Sequence, residues 1–283
     1  MSWLNEHRFW LARRTMQLGI LLLFWLGAHQ HLGVLTGNLS ASRVLRTLPL
    51  ADPFAVLQIL VTRHALDETV LLGAAIVLLV YLVVGGRSFC SWVCPVNLLT
   101  DFAATLRRRF HLVGQYRVSR HTRYGVLVLA LLVSAISGVA AFEWVSPIAM
   151  IHRELIFGPG MGLLAIAGIL LLDLYVLKHG WCGSLCPLGA FYALVGRFSL
   201  LRIGFDTSRC DHCGDCVAIC PEKQVIDFHA MAARGFIDSG ECTNCTRCLE
   251  VCPRDAYRLT LRFCDSAARH LKEGEHHATQ SPA

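Results

Sequence analysis

Two stretches near the C-terminal end carry the clearest chemistry, Cys210-Asp-His-Cys213-Gly-Asp-Cys216-Val-Ala-Ile-Cys220-Pro221 and Cys242-Thr-Asn-Cys245-Thr-Arg-Cys248-Leu-Glu-Val-Cys252-Pro253. Each reads C-x2-C-x2-C-x3-C-P, the ligation run of bacterial [4Fe–4S] proteins. In that arrangement three closely spaced thiolates hold three irons of one cube, and the cysteine before Pro ligates the other cube. The spacing therefore assigns Cys210, Cys213, Cys216 and Cys252 to one cluster, and Cys242, Cys245, Cys248 and Cys220 to the second. A zinc ribbon, with two C-x2-C pairs set well apart, fits the even phasing badly.

Four further cysteines recur in a second pattern, Cys90-Ser-Trp-Val-Cys94-Pro95 and Cys182-Gly-Ser-Leu-Cys186-Pro187. Cysteines four apart lie one helical turn apart and share a face, although Pro disfavours a helical conformation for the cysteine before it. Two readings stand. Cys90, Cys94, Cys182 and Cys186 meet as a metal centre or a redox disulfide, or they are small apolar residues at helix ends. Cys264, the odd cysteine, reads as an inert thiol.

These motifs need elements to hold them. With 54% hydrophobic and 16% charged residues and a mean hydropathy of +0.50, the chain reads as a membrane α-helical protein with a small polar appendage. The expectation is four transmembrane helices, Met16–Leu35, Thr69–Gly86, Gly125–Phe142 and Gly160–Leu177, forming two repeated hairpins that each end in C-x3-C-P. The divisions are an N-terminus (1–15), a first hairpin (16–95), a basic loop or amphipathic helix (96–124), a second hairpin (125–187), a connector (188–202), a two-cluster α+β ferredoxin-like domain (203–263) and a solvated tail (264–283). Phe54–Val61 reads as an interfacial helix. Within the cluster domain, Gln224–Phe228, Gly235–Ile237 and Ala256–Phe263 read as short strands.

Arginines set the orientation. Arg8, Arg13, Arg14, Arg87 and those of 96–124 outnumber Arg43, Arg46, Arg63 and Arg153 on the other side, which places the N-terminus, both C-x3-C-P motifs and the cluster domain in the cytoplasm of a bacterial inner membrane. Free cluster thiolates agree with a reducing compartment. The charge of +6 is accounted for by topology and does not call for nucleic acid. Arg13-Arg14 before an apolar run also resembles a twin-arginine signal, but no small-x-small cleavage site follows.

Ionisable groups at membrane depth are candidates for proton exchange with a quinol: His29, His31, Glu143 and Asp173. Each also reads as an interfacial anchor or an interhelical contact. No C-x-x-C-H site for c-type haem is present. The chain shows no complete enzyme active site, so the clusters carry electrons and transform nothing themselves.

Taken together, Ala51-Asp-Pro-Phe, Phe89-Cys-Ser-Trp-Val-Cys-Pro, Leu106-Arg-Arg-Arg-Phe, His179-Gly-Trp-Cys-Gly-Ser-Leu-Cys-Pro and both cluster runs resemble the NapH-type membrane ferredoxins of periplasmic nitrate reductase systems. The resemblance covers residues 8–263. It implies a quinol dehydrogenase component that passes electrons from the membrane quinol pool, with a periplasmic NapG-like iron–sulfur partner, toward nitrate reductase. The MauN-type proteins of methylamine utilisation share the plan, as do a regulator of nitrous oxide reduction and a copper-oxidase assembly factor. The alternatives are therefore a methylamine counterpart, a metal-reducing assembly factor, or a redox sensor.

Overall fold

The computed structural model describes residues 7–29, 34–63, 67–111 and 118–263. They fall into two compact units, one drawn from 1–11, 81–88 and 193–283, the other from 12–80 and 89–192. His31, Cys264 and the tail lie outside the described residues.

The second of these units is helical. Its elements, of which α1, α3, α4 and α10 also run into the first unit, are α1 (Arg8–His29), a three-stranded antiparallel sheet of β1 (Leu35–Gly37), β2 (Ala41–Val44) and β3 (Leu48–Ala51), then α2 (Pro53–Arg63), α3 (Glu68–Val84), α4 (Ser88–Trp92) and α5 (Val96–Arg109). They continue through α6 (Thr122–Ser137), α7 (Ala141–Val145), α8 (Pro147–Phe157), α9 (Gly162–Leu171), π-helical turns at Leu172–Val176 and Trp181–Leu185, and α10 (Pro187–Gly196). Asp52 caps α2, its Oδ2 accepting the Ala55 N–H at 3.3 Å, with Pro53 pre-set for the first turn. The sheet was not anticipated, because its strands are too short to show alternation.

The expectation of four membrane-crossing helices is corrected. Among the described residues no helix is long and apolar enough to cross a membrane. Each candidate run fails for a local reason. In α1 the polar groups sit inside the helix and bind protein: Arg13 and Gln17 are buried, Arg14 pairs with Asp101, and Gln17 Nε2 donates to the Ser91 carbonyl at 3.0 Å. α3 has 17 residues beginning at Glu68, a length of about 26 Å at 1.5 Å per residue against ~30 Å of hydrocarbon. α6 stops after 16 residues, where Gly138 turns left-handed at φ +70°. α9 gives way after 10 residues to the π-turn that carries Asp173.

The iron–sulfur unit is built on a two-stranded antiparallel sheet, β4 (Leu201–Phe205) with β5 (Tyr257–Leu261), in the register Ile203 to Leu259 and Phe205 to Tyr257. Its short helices are α11 (Asp215–Ile219), α12 (Phe228–Arg234) and α13 (Arg247–Val251). Ile203, Phe205, Val225, Met231, Ile237, Ala256 and Tyr257 form a buried core, against which Cys210, Cys220, Cys242, Cys248 and Cys252 pack. The strand expected at Ala256–Phe263 is present as β5. Gln224–Phe228 is instead a 3-10 turn at Lys223–Val225 leading to α12, whose N-cap Asp227 accepts from the N–H groups of His229 and Ala230; that carboxylate favours helix initiation over an extended chain. Gly235–Ile237 forms only the single bridge Gly204 to Phe236.

Candidate iron–sulfur and thiol centres

Both cluster runs fold by one device. His212 and Gly214 in the first loop take φ of 59° and 84°, and Asn244 and Thr246 in the second take 45° and 60°. Left-handed residues at these matched positions, one before and one after the second cysteine, reverse the chain in both loops; the Asp215 N–H then reaches Cys213 and the Asn244 N–H reaches Cys242. α11 and α13 follow, each carrying its loop's third cysteine. The cysteine before Pro then leaves the helix: Cys220 is extended at φ −68°, ψ 127° and Cys252 at φ −77°, ψ 111°, as the following Pro requires.

Cys220 lines one cavity of about 20 Å³ together with Cys242, Cys245 and Cys248. Burial pushes the Cys242 thiol up to about 11, opposed in part by the charges of Arg202 and Arg87; burial also raises Cys220 and Cys248. In the first loop Cys213 is exposed. The Ala256 N–H donates to Cys252 Sγ at 3.4 Å, and the Tyr257 hydroxyl faces the Cys216 thiol.

Three residues that hold the second loop gave no signal in the sequence. Arg87, 1% exposed, pairs with Glu222 at 2.8 Å and donates to the Glu241 carbonyl at 2.9 Å. Arg202, 2% exposed, donates to the carbonyls of Arg197, Asp238, Ser199 and Ser239 at 2.8–3.3 Å. Asn244 Nδ2 donates to Val84 and Leu201 at 3.0 and 3.2 Å. An arginine beside an apolar run reads as a flanking charge, and only the fold shows it to be an internal strut.

The other four thiols also meet. Cys90, Cys94, Cys182 and Cys186 line one cavity of about 20 Å³ with Phe89, Phe142, Trp181 and Leu188. Cys90 sits in α4, Cys94 ahead of α5, Cys182 in the second π-turn and Cys186 ahead of α10. The Gly189 N–H donates to Cys186 Sγ at 3.4 Å, and Val96 and Asn97 offer their N–H groups to Cys94. Each Cys-Pro sulfur thus faces the first turn of the helix it precedes, an environment that favours a thiolate, while burial and neighbouring thiols push Cys94 and Cys182 up. Asp173 Oδ1 accepts the Trp181 N–H at 3.1 Å, and Arg107 donates to the Asp173 carbonyl at 2.9 Å. Asp173 is therefore the brace of the turn that carries Cys182.

The remaining proton-exchange candidates lie apart from it. His29, exposed, stacks on Trp25 at 4.9 Å, its Nδ1 3.1 Å from the Trp25 carbonyl. Glu143 accepts from Ser40 Oγ at 2.6 Å. A carboxylate that the sequence reading passed over, Asp52, is buried and accepts from the Tyr192 hydroxyl at 2.9 Å; burial pushes it up to about 7. Tyr192 in turn stacks on Phe89 at 5.3 Å, next to Cys90.

A family described as a 4Fe-4S binding domain matches twice, over residues 66–112 and 159–206, and each match contains one C-x3-C-P motif. A 4Fe-4S dicluster domain matches residues 202–253. Among known proteins, the ferredoxin-type protein NapH of Haemophilus influenzae is 45% identical over 80% of this chain and 79% of its own length. The methylamine utilization ferredoxin-type protein MauN of Methylorubrum extorquens is 45% identical over 79% of this chain and 78% of its length. The chain belongs to this NapH and MauN family of ferredoxin-type proteins. NapH of Escherichia coli follows at 40% identity over 80% of this chain and 79% of its own. No solved structure matches.

Membership makes the chain an iron–sulfur electron-transfer protein, and the donor set suits that role. Four cysteines reach the second-loop cavity, and in each loop a backbone N–H faces a cysteine sulfur, as an anionic cluster ligand favours. Among the described residues no three His, Cys, Asp or Glu side chains gather as a single metal ion needs. A cube has no such requirement, because it gives each thiolate its own iron.

Proposed function

We propose that the chain takes electrons from quinol at the bacterial inner membrane and passes them, through iron–sulfur clusters held by Cys210, Cys213, Cys216 and Cys252 and by Cys242, Cys245, Cys248 and Cys220, to a periplasmic NapG-like partner that serves nitrate reductase. The observation that carries the reading is the pairing of two thiol centres in one chain whose relatives include NapH proteins. When bound, a [4Fe–4S] cluster supplies one-electron transfer. The protein's own part is to hold it. The Asn244 N–H reaches Cys242, Arg202 and Arg87 place positive charge beside it, and the Ile203–Tyr257 core excludes water from one side. Placement at a membrane is supported by exposed apolar side chains on α3 (Leu71, Leu72, Leu79, Val80) and α6 (Val128, Leu129, Leu132, Ile136), a patch of the kind that seeks an apolar environment. The cysteine motifs are assigned to the cytoplasmic side because cluster thiolates call for a reducing compartment. Cys90, Cys94, Cys182 and Cys186 act as a further redox centre, either binding a metal group or cycling through a disulfide.

The test is anaerobic EPR on the purified holoprotein. Signals of two interacting reduced clusters on adding a quinol analogue, with the partner present, are the expected result. Silence with quinol alongside a full dithionite signal overturns quinol oxidation. A second reading rests on the equal identity to the methylamine utilization protein MauN: the same transfer serves methylamine oxidation. A deletion strain separates the two. Loss of anaerobic growth on nitrate supports the first reading, and loss of growth on methylamine the second.

A further inference from the structure

α8 presents Ile148, Ala149, His152 and Ile156 along one face, and this face forms a wall of a cavity of about 220 Å³ whose opposite wall is the β1–β2 turn, Gly37–Ser40. His152 is 4% exposed, and its Nε2 is buried without a hydrogen-bond partner among the described residues. Its ring is fixed edge-on against Phe24, with centroids 4.7 Å apart and planes at 84°. The turn is equally fixed: Asn38 Oδ1 accepts the N–H groups of Ser40 and Ala41 at 3.0 and 2.7 Å. Ser40 Oγ lines the cavity and donates to Glu143 at 2.6 Å, which leaves its lone pairs free to accept. Arg153 stands at the exposed rim, as does Phe157, 83% exposed.

The lining is about half polar, with Ile148, Ala149 and Ile156 forming its apolar part, and its one unsatisfied imidazole nitrogen leaves it incomplete by itself, since a buried polar atom left unpaired is costly. A phosphate would need more positive charge than one rim arginine, and a metal ion more than one imidazole. A flat apolar ring bearing two oxygens meets each demand. We propose that this cavity binds the headgroup of a quinone or quinol, with one ring oxygen on His152 Nε2, the other toward Ser40, and the tail leaving past Phe157. In the quinol the ring hydroxyl donates to Nε2, and in the quinone the ring carbonyl accepts from it, according to the imidazole tautomer. The inference rests on the quinol reading above and gives it a location.

The test uses the full-length holoprotein and 2-heptyl-4-hydroxyquinoline N-oxide, a fluorescent quinol-site ligand quenched on binding. His152→Leu removes the acceptor and Ala149→Phe fills the ring space. Each is expected to weaken binding by about tenfold or more, with the dithionite-reduced EPR spectrum unchanged and partial recovery in His152→Gln. Wild-type affinity in both variants, with quinol still reducing the clusters, overturns the location and leaves quinol oxidation standing. No binding to the wild type, together with no reduction by quinol, overturns both. If either variant loses its clusters, photolabelling of the wild type with an azidoquinone decides. Label on peptides containing residues 37–40 or 148–157 supports the site, and label confined elsewhere sinks it.

Discussion

The cysteines of the two cluster runs and those of the C-x3-C-P pairs end in the same tripeptide pattern, a cysteine, a Pro and a new turn, yet different devices hold them. In the iron–sulfur unit the backbone does the work: left-handed residues at matched places in both loops shape the cradle before any packing is considered. In the helical unit the backbone is ordinary helix and π-turn, and the four thiols share a cavity because side chains such as Phe89, Phe142 and Leu188 wall it. The first device is local and survives transplantation between proteins. The second exists only while the helices stay packed.

The largest expected effect falls on the local device. Cys220→Ala removes the thiol that reaches the second loop's cavity, so iron content should fall by about half, read by metal analysis and by loss of one EPR-active centre. Retention of full iron would break the ligand exchange between loops. Cys94→Ser with Cys186→Ser should instead leave both ferredoxin-type EPR signals intact while quinol-driven reduction is lost.

Next comes the buried strut. Arg87→Met leaves Glu222, 3% exposed, without its guanidinium, and unfolding of the iron–sulfur unit in denaturant should become easier by about 3–5 kcal/mol. Adding Glu222→Met should recover most of the loss, because the penalty lies in the uncompensated charge. A double variant no better than the single would show that the Glu241 contact matters more.

The helical unit should respond to pH where the other does not. Burial raises Asp52 to about 7 from an ordinary 3.8, so between those values the folded chain keeps a proton that the unfolded chain releases. Its contribution is greatest at low pH and falls by roughly 1.4 kcal/mol per pH unit as pH rises toward 7, then levels off. Thermal melts at pH 5 and 7.5 should show this slope in the wild type and a flatter one in Asp52→Asn, which keeps an acceptor for Tyr192. An unchanged slope would assign the effect elsewhere.

The smallest effect tunes a potential. Tyr257→Phe deletes a buried hydroxyl that lies by Cys216 and has no hydrogen-bond partner among the described residues; donated to cluster sulfur, it would favour the reduced form. The first cluster's midpoint should drop by about 20–60 mV, the equivalent of one ordinary hydrogen bond. Redox titration monitored by EPR measures it, with the second cluster as internal control.

Legibility in the sequence divides along the same line. The cysteine runs could be read because a metal cluster demands donors at set intervals and Pro announces the departure of the fourth. Gly214 hints at its left-handed turn and Asn244 does so weakly, whereas Thr246, β-branched and rarely left-handed, does not. In the helical unit the recurrence of C-x3-C-P foretold that the halves match, and both match the same family. Hydropathy did not reveal where the helices stop. The breaks come from a left-handed Gly138 and the π-turn beginning at Leu172, and neither alters the apolar composition of the run. Arg13, Arg107 and Arg123, which count as flanking charges on paper, are buried. Asp173, one of the proton-exchange candidates, accepts the Trp181 N–H through Oδ1, a contact that only the fold shows. His152 carries no signal in the sequence, because the burial of its ring nitrogen is a property of three dimensions.

The position of Cys220 in the second loop's cavity also has a consequence for biosynthesis. A ribosome delivers Cys210, Cys213, Cys216 and Cys220 well before any of Cys242, Cys245 and Cys248, and Cys252 comes last. On the proposed exchange of ligands the earlier loop waits for Cys252, while the later loop has its full set once Cys248 emerges. The cube nearer the C-terminus is thus the first that can be completed, and a nascent chain stalled or cleaved between the loops holds neither.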